Sequence, residues 1–319
     1  MHGVLNLLKP PGMTSHDAVA FVRRVLKEKR VGHTGTLDPA AAGVLPICVG
    51  QATRIVEYLQ SGTKEYIAEA TFGFETDTLD AVGTTIRKAP TAQISLEAIN
   101  AVLDRFRGEI EQVPPLYSAI KVDGQRLYDV GRSGGTAEIP TRKVTISALE
   151  VTGFTPGESP TAMIKIECSG GTYIRSLVRD IGKALGSAAT MTFLVRTRGG
   201  AFKLDEAVSC SEFASNPTLI PFEETLLWCA RSAVVNDDGA LTLFQGKILK
   251  SPKPGELGSV DEGEEQRAQV QPPKNSILIH NEAKTLFALA VPSRETGFHR
   301  AEKVFDLRGP MPSTKSTTV

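Results

Sequence analysis

The sequence has few cysteines, and they are far apart. Cys48, Cys168, Cys210 and Cys229 are the four cysteines of the 319 residues, and no two of them form a CxxC pair. Widely scattered cysteines argue against a disulfide framework and against a zinc site built from paired thiolates. The five histidines form no cluster either. We therefore expect no metal, and the cysteine pattern suits a reduced cytosol.

The sequence also lacks the long hydrophobic run that a membrane span needs. Its first residues, MHGVLNLLKPPG, lack the charged start, apolar block and small-residue cleavage site of a secretory signal. Hydrophobic residues make up 41% of the chain and charged residues 23%, as in an ordinary soluble globular protein. We expect a cytoplasmic protein with no membrane contact, folded into two domains of unequal size.

Neither sign of charge is in excess, since 36 basic residues balance 36 acidic ones. Nucleic-acid-binding proteins are often basic overall, so this balance counts mildly against that class. Local clusters matter more, because phosphate contacts act over one Debye length, about 10 Å. Each basic cluster is open to two interpretations, a nucleic-acid contact or a solvated helix face. The clusters are Arg23, Arg24, Lys27, Lys29 and Arg30, then Arg175 and Arg179, then Arg196 and Arg198.

Hydrophobic periodicity predicts helices and strands that alternate without a regular βαβ rhythm. A capping-box pair, Thr14 and Asp17, precedes a predicted helix over residues 15–29. Residues 64–74 alternate in polarity, which predicts a half-buried strand with Tyr66 on its inward face. The other predicted elements are strands over 3–9, 116–122, 143–154 and 162–168, a helix from Ser95 to Phe106, and a helix in SGGTYIRSLVRDIGKALG. The mixture favours an α+β fold with a mixed, largely antiparallel sheet flanked by helices.

The composition changes after Trp228. Residues 251–275 carry five acids, four prolines and three glycines, which predicts a mobile loop or insertion. Strand-like pieces, SILIHN and TLFALAV, accompany it. We expect one domain over 1–228 and a small β-rich domain over 229–308, followed by a disordered tail over 309–319.

The stretch GHTGTLDPAAAGVLPICVG, residues 32–50, contains one aspartate, Asp38, among glycines, threonines and small apolar residues. A carboxylate in apolar surroundings costs several kcal/mol unless it is paired, so folding alone gives little reason for it. The glycines allow close approach by a ligand, but the phosphate-loop pattern GxxxxGK[ST] is absent. One carboxylate on a loop indicates covalent or general acid–base chemistry. The alternative is a turn or cap residue before Pro39.

Seven segments, in the same order, resemble the TruB family, the bacterial tRNA pseudouridine-55 synthases. They are KPPGMTSHDAV (9–19), the stretch 32–50, KEY (64–66), TDTLDAVG (76–83), PPLYSAIKVDGQRLYDVGRSG (114–134), GTYIRSLVRDIG (171–182) and FLVRTRGGAF (193–202). The resemblance weakens after residue 228, where LIPFEETLL and then FQGKIL are similar to the start of the family's PUA-type RNA-binding domain. Two departures are Ala40, where the family usually has a large apolar residue, and the acidic stretch 251–275.

The resemblance implies an enzyme that breaks the N-glycosidic bond of one uridine in the tRNA T loop, rotates the base and rejoins it through carbon 5, without a cofactor. Asp38 matches the family's catalytic aspartate. Arg175 matches a cation beside it, and a buried carboxylate needs such a neighbour to stay ionised at neutral pH. Tyr66 matches the active-site tyrosine that stacks on the target base; the alternative for it is a strand core residue.

Five further residues are candidates for the RNA site. Tyr173 and Leu194 match positions that pack around the bound uridine. Lys64 and Lys9 are candidates for phosphate or site-shaping contacts, with a surface lysine as the alternative. His33 matches the planar residue that fills the space of the flipped uridine, because leaving the stack costs a few kcal/mol. The alternative for His33 is a hydrogen-bonded structural histidine.

The implied partner is tRNA, contacted at its T arm and elbow by a monomer that needs no protein partner. Two other interpretations stay open. One is a non-catalytic tRNA-binding or tRNA-folding protein, against which the set Asp38, Tyr66 and Arg175 argues. The other is a nucleoside hydrolase, which would need a second carboxylate as acid, whereas the basic segments indicate a polymer substrate.

Overall fold

The computed structural model of the protein describes residues 1–118, 120–122, 125–127, 135, 138–252, 270 and 272–308. The strands of these residues, in chain order, are β1 (Gly3–Lys9), β2 (Val31–His33), β3 (Ala42–Val49), β4 (Lys64–Phe72), β5 (Phe74–Thr76), β6 (Thr85–Lys88), β7 (Gly108–Gln112), β8 (Lys121–Val122), β9 (Gln125–Arg126), β10 (Arg142–Thr155), β11 (Thr161–Cys168), β12 (Ala189–Gly199), β13 (Phe202–Lys203), β14 (Val208–Ser209), β15 (Ile220–Pro221), β16 (Arg231–Val235), β17 (Leu249–Lys250), β18 (Ile277–Asn281), β19 (Leu286–Pro292) and β20 (Phe298–Asp306).

Eleven of these strands form one mixed sheet. Its order is β14–β1–β3–β12–β4–β11–β10–β7, and β13, β15 and β2 pair with β12, β1 and β3. The pairs β1–β14 and β3–β12 are parallel, and the other described pairs of this sheet are antiparallel. The predicted mixed, largely antiparallel sheet is therefore confirmed.

Seven helices accompany the strands in the described ranges, and none is long and apolar enough to cross a membrane. They are α1 (Ser15–Leu26), α2 (Val56–Gln60), α3 (Leu96–Leu103), α4 (Ile174–Ala184), α5 (Cys210–Ser215), α6 (Phe222–Leu227) and α7 (Asp237–Phe244), with 3-10 turns at Gly50–Ile55, Asp104–Phe106 and Leu204–Glu206. Helices α1, α3 and α4 cover one face of the main sheet and share its core.

Two helices end earlier than the sequence predicted. The capping box of Thr14 and Asp17 starts α1 as expected, but the helix ends at Leu26 because Lys27 adopts a left-handed conformation with φ of +52°. Helix α3 ends at Leu103, and a 3-10 turn continues the chain to Phe106.

Strand β4 confirms the inward position of Tyr66. Tyr66, Ala68, Ala70 and Phe72 are buried on one face, against the core shared with the helices. The strand ends two residues earlier than predicted, because Gly73 turns the chain with φ of +106°.

The strand predicted over 116–122 is wrong for most of its length. Residues 116–118 form bends, and the strand conformation is limited, in the described residues, to Lys121–Val122. The carbonyl of Tyr117 accepts a hydrogen bond from the Arg175 guanidinium at 3.1 Å, so this backbone group serves the site instead of a strand ladder. Ala119 and the predicted turn at 123–124 lie outside the described residues.

The residues after Trp228 form a second sheet in the order β16–β18–β19–β20–β17, which confirms a β-rich C-terminal part. Its core is continuous with the back of the main sheet: Val4 and Val44 belong to the same buried cluster as Leu289 and Phe305. The rings of Phe222 and Phe305 meet edge to face, with 5.1 Å between centroids. Because the core is shared, a domain boundary at residue 228 stays a prediction.

Two cations fasten strand β20 to the 3-10 turn and helix α2. Arg54 Nη1 donates to the Val304 carbonyl at 2.5 Å, and its guanidinium lies 4.7 Å from the Phe305 ring centre. Lys303 Nζ donates to the Arg54 carbonyl at 2.6 Å, pairs with Glu57 and lies 4.5 Å from the Tyr58 ring centre. These crossed contacts hold the second sheet at one position against the first.

The predicted loop 251–275 is described at only a few positions, since 253–269 and 271 lie outside the described residues, as does the predicted tail 309–319. Val270 is 5% exposed and belongs to the buried cluster that joins the two sheets. The stretch is therefore not solvent-facing throughout, because it contributes one side chain to this core.

Candidate active site

Asp38 lies on the loop between β2 and β3. The loop starts at Thr34, whose backbone N–H donates to the Pro46 carbonyl at 3.0 Å, and closes with a hydrogen bond from the Ala41 N–H to the Asp38 carbonyl at 3.1 Å. The Asp38 side chain is 31% exposed, so the carboxylate is accessible from solvent.

Ser15, the first residue of α1, fixes the residue before Asp38. Its hydroxyl accepts a hydrogen bond from the Leu37 N–H at 2.8 Å and donates to the Leu37 carbonyl at 3.0 Å. Ser15 and Leu37 are both about 3% exposed, so water does not compete for these two bonds. The start of α1 thereby sets the position of the loop that carries Asp38.

Lys9 and Gly12 fix the residue after Asp38. The Gly12 N–H donates to the Pro39 carbonyl at 2.8 Å. Lys9 Nζ donates to the carbonyls of Pro10 at 2.8 Å, Met13 at 2.7 Å and Pro39 at 3.3 Å, and the residue is fully buried. Burial lowers the pKa of Lys9 to about 8, while the Asp38 carboxylate opposes the shift. The surface alternative for Lys9 is wrong, and its placement supports a site-shaping contact.

Arg175, on the first turn of α4, is the direct partner of Asp38. Its Nη2 lies 2.9 Å from Asp38 Oδ1 and also donates to the Tyr117 carbonyl at 3.1 Å. Its Nη1 donates to the Thr78 carbonyl at 2.9 Å and lies 3.7 Å from Asp80 Oδ2. One buried guanidinium thus joins three loops around the carboxylate.

Asp80 was not among the sequence-derived site residues, although its motif TDTLDAVG was noted. Its carboxylate accepts hydrogen bonds from the Thr78 hydroxyl at 2.6 Å and the Val82 N–H at 3.1 Å. These bonds stabilise a turn in which Leu79 has a φ of +63°. The turn directs the Thr78 carbonyl to Arg175, so Asp80 supports the cation that contacts Asp38.

The electrostatics of Asp38 result from opposing effects. Burial raises the pKa of the Asp38 carboxyl above its ordinary value, and the charge of Asp80 adds to the rise. The charge and the hydrogen bond of Arg175 lower the pKa and favour the carboxylate form. Arg175 and, to a smaller extent, Lys9 thus oppose the effect of burial and favour the carboxylate form, which suits a nucleophile or a base.

Tyr66 and Leu194 lie on neighbouring central strands. Each side chain is 6% exposed. Leu194 on β12 is paired with Ala68 on β4, and Ala68 faces the same core as Tyr66. Burial raises the pKa of the Tyr66 hydroxyl, and the charge of Arg196 opposes the rise. The hydroxyl is therefore neutral at physiological pH.

Tyr173 caps α4 and is half-buried. Its backbone is held by one side chain: the Tyr173 N–H donates to Gln112 Oε1 at 2.8 Å, and Gln112 Nε2 donates to the Tyr173 carbonyl at 3.1 Å. These paired bonds fix the start of α4, two residues before Arg175.

Lys64 is buried, at 7% exposure, so the surface alternative is wrong for it as well. Its Nζ donates to the carbonyls of Gln60 at 2.7 Å and Gly62 at 2.9 Å. Burial lowers the pKa of Lys64 to about 8, and the charge of Arg196 adds to the fall. This placement supports a site-shaping contact more than a phosphate contact.

His33 ends strand β2, five residues before Asp38, and is half-buried. Its Nδ1 accepts a hydrogen bond from the Gly35 N–H at 3.2 Å. Burial, with the charges of Arg196 and His16, lowers the pKa of His33. The imidazole is therefore neutral and planar at physiological pH.

Comparison with known proteins identifies the fold and the family. Residues 23–174 match the family model described as TruB family pseudouridylate synthase (N terminal domain), and residues 175–221 match the tRNA pseudouridylate synthase B C-terminal domain. The tRNA pseudouridine synthase B of Symbiobacterium thermophilum is 52% identical to this chain over 67% of the chain and 71% of the relative. This chain belongs to the TruB family. It is an enzyme, a pseudouridylate synthase.

A second TruB relative, from Carboxydothermus hydrogenoformans, is 50% identical over 70% of this chain and 77% of its own length. Among solved structures, a Cbf5-Nop10-Gar1 complex contains a chain that superposes with a TM-score of 0.64 at 26% identity, covering 96% of this chain and 85% of the other. An H/ACA RNP bound to a substrate RNA containing 2'-deoxyuridine matches with a TM-score of 0.64 at 25% identity over 97% and 85%. This coverage includes the C-terminal sheet, so the likeness extends to both parts of the fold.

The two TruB family models meet at residues 174 and 175, at the start of α4 and inside the main sheet's sequence span. That junction is not a structural boundary, because β12 lies after it in sequence and between β3 and β4 in the sheet. Both family models end before the second sheet. A PUA-type identity for that sheet stays a prediction.

Proposed function

We propose that this TruB protein converts uridine 55 in the T loop of tRNA to pseudouridine, with Asp38 as the catalytic aspartate. The observation that carries the proposal is the 2.9 Å pair of Asp38 and Arg175 on an accessible loop. The names of the curated relatives, tRNA pseudouridine synthase B, support tRNA as the substrate. We place the reaction in the cytoplasm and expect a monomer that contacts the T arm.

The reaction is an isomerisation and needs no external reactant. The bond between N1 of uracil and C1′ of ribose breaks, the base turns, and a bond between C5 and C1′ forms, while the proton of C5 leaves and N1 gains one. Asp38 has three routes: attack on C6 of the base, attack on C1′, or removal of a sugar proton. Each route requires the ionised carboxylate that the Arg175 pair favours.

We expect the uracil base of the target uridine to lie between three side chains. Tyr66 and Leu194 supply buried faces on the central strands, and Tyr173 stands beside Arg175 at the start of α4. A ring stacked on uracil contributes about 1–3 kcal/mol. In this arrangement Tyr66 also stands close to the carbon that loses its proton, where a neutral hydroxyl can relay it.

His33 is proposed to take the place of the extruded uridine in the T loop. A neutral planar ring stacks on bases without attracting the neighbouring phosphates into the gap, and the lowered pKa of His33 provides that state. Its position five residues before Asp38, on the same strand–loop unit, supports simultaneous contact with the gap and the extruded nucleotide.

The position of modification is tested with tRNA transcripts labelled with tritium at C5 of uridine. One transcript keeps uridine 55, and the other has cytidine there. We expect release of one label per molecule from the first and none from the second, and no reaction of free uridine. Equal release from the two transcripts would move the site away from position 55, and consumption of free uridine would favour a nucleoside hydrolase.

A further inference from the structure

Arg196 is a buried cation without a carboxylate partner. It is 1% exposed, and no Asp or Glu of the described residues lies within ion-pair distance of its guanidinium. A buried charge that lacks an ion pair is costly unless hydrogen bonds compensate for lost water. In the sequence, Arg196 and Arg198 form a basic cluster that could contact a nucleic acid. The Arg196 side chain is buried and cannot reach a phosphate at the surface.

The hydrogen bonds of Arg196 join the two sides of the Asp38 loop. Its Nε donates to the Val44 carbonyl at 2.7 Å, and its Nη2 donates to the Gly35 carbonyl at 3.2 Å. Gly35 lies three residues before Asp38, and Val44 lies six residues after it. One rigid planar group therefore fixes the distance between the start and the end of the loop.

The backbone of Arg196 approaches the same loop closely. Arg196 is paired with Gly43 in the parallel ladder of β12 and β3. A side-chain carbon on Gly43 would lie 2.2 Å from the Arg196 carbonyl oxygen, and Gly43 has a φ of +110°. Only glycine permits this approach. The start of β3, directly after the Asp38 loop, therefore packs against the backbone of Arg196.

Arg196 also faces the other central residue of the site. In the antiparallel ladder of β4 and β12, Arg196 is directly opposite Tyr66. Opposite residues of neighbouring strands have their side chains on the same face of the sheet. The Arg196 and Tyr66 side chains therefore lie on the same face of the sheet, and the charge of Arg196 opposes the rise in the pKa of the Tyr66 hydroxyl.

We propose that Arg196 is a positioning residue, which sets the Asp38 loop relative to Tyr66 through its bonds to Gly35 and Val44 and its place opposite Tyr66 in the sheet. It does not contact the reacting atoms. The inference rests on the proposed function, because it assigns Asp38 and Tyr66 to one reaction. Lysine cannot replace Arg196, since a single ammonium lacks the planar fork that spans the Val44 and Gly35 carbonyls.

The chain contains a matched control two positions along the same strand. Arg198 pairs with Glu65 at 2.7 Å and Glu167 at 3.7 Å, and a register shift separates it from Arg196. Arg198 is therefore a partly buried arginine of β12 whose partners lie away from Asp38. Arg198→Lys changes the same chemical group without changing the loop contacts.

The test compares Arg196→Lys, Arg196→Gln and Arg198→Lys with wild type in the full chain. Three quantities are measured on tRNA: the single-turnover rate of pseudouridine formation, the Kd, and the thermal midpoint of the protein. We expect both Arg196 variants to lose at least about tenfold in rate with Kd within about threefold, because misplaced groups lose rate more than affinity. Arg198→Lys is expected to keep both values within about threefold.

Several results would overturn the inference. Wild-type rates in folded Arg196→Lys and Arg196→Gln would assign Arg196 to packing alone. Equal losses in the Arg196 variants and Arg198→Lys would indicate a general effect of strand β12. Arg196→Gln leaves no buried charge. If this variant nevertheless failed to fold, Arg196 would be a residue needed for folding and not a positioning residue. An inactive wild type would instead count against the proposed function.

Discussion

Arg175 Nη2 and Asp38 Oδ1 are 2.9 Å apart, although 137 positions separate them in sequence. The guanidinium is 6% exposed and the carboxylate 31% exposed, so the cation is fixed while the carboxylate faces the accessible side. The Thr78 and Tyr117 carbonyls occupy further donors of Arg175. The cation therefore has little freedom to leave Asp38, and the carboxylate keeps its orientation before substrate binds.

The pH dependence of the rate follows from this pair. Burial raises the pKa of the Asp38 carboxyl, and the proposed reaction needs the ionised form. As the pH falls through the raised pKa, the single-turnover rate should fall, with a midpoint above the ordinary aspartate value of about 3.9. Arg175→Gln removes the opposing cation and should move the midpoint to higher pH. A wild-type midpoint at or below the ordinary value would contradict this assignment.

Ser15→Ala should impair the reaction without weakening tRNA binding. The substitution removes both hydrogen bonds to Leu37 and leaves a buried N–H unpaired, which costs about 1–3 kcal/mol of stability. We expect the single-turnover rate to fall by about tenfold to a hundredfold, because the loop of Asp38 shifts.

The control for Ser15→Ala is Thr14→Ala in the same helix. The Thr14 hydroxyl accepts from the Asp17 N–H but does not contact the Asp38 loop. Its loss should cost about 1 kcal/mol of stability and leave the rate unchanged. Equal rates in the two variants, corrected for folded fraction, would show that Ser15 acts only as part of the helix.

His33 is expected to act through its planar shape. His33→Ala should slow pseudouridine formation in folded tRNA, since nothing then fills the gap left by the uridine, whose extrusion costs a few kcal/mol. His33→Phe should retain most of the rate, because it restores a planar ring. Rates are measured on the same tRNA at concentrations below and above the Kd. A wild-type rate in His33→Ala would discard the role.

Lys303→Ala should lower the thermal midpoint by loosening the second sheet. The change removes the bond to the Arg54 carbonyl, the pair with Glu57 and the contact with the Tyr58 ring. Together these contribute about 1–2 kcal/mol. Arg300→Ala on the same strand, whose exposed pair with Glu302 is 3.4 Å long, should have little effect. Equal midpoints would mean that the apolar cluster alone joins the sheets.

Periodicity and chemistry were enough to predict part of this site. Strict alternation along β4 placed Tyr66 on the buried face, because side chains of a strand alternate between faces. Asp38 stood out since a carboxylate among small apolar residues requires a partner. The family resemblance then supplied the identity of that partner, Arg175, which no local pattern could give across 137 positions.

Other features could not be predicted, because they depend on long-range placement. Arg196 and Arg198 are neighbours in sequence, but a register shift in β12 gives them different partners. Lys9 and Lys64 are buried because turns direct backbone carbonyls to their ammonium groups, and turn geometry leaves only a weak sequence pattern. Val270 lies in an acidic, proline-rich stretch, where burial is not expected.

The central claim is that the Asp38 carboxylate performs the reaction. Its most direct test is tritium release from tRNA labelled at C5 of uridine, measured for wild type and Asp38→Asn at equal folded concentration and saturating tRNA. We predict one label released per tRNA by the wild type and none by Asp38→Asn, with tRNA binding retained in both. Release by Asp38→Asn at the wild-type rate would contradict the role given to Asp38.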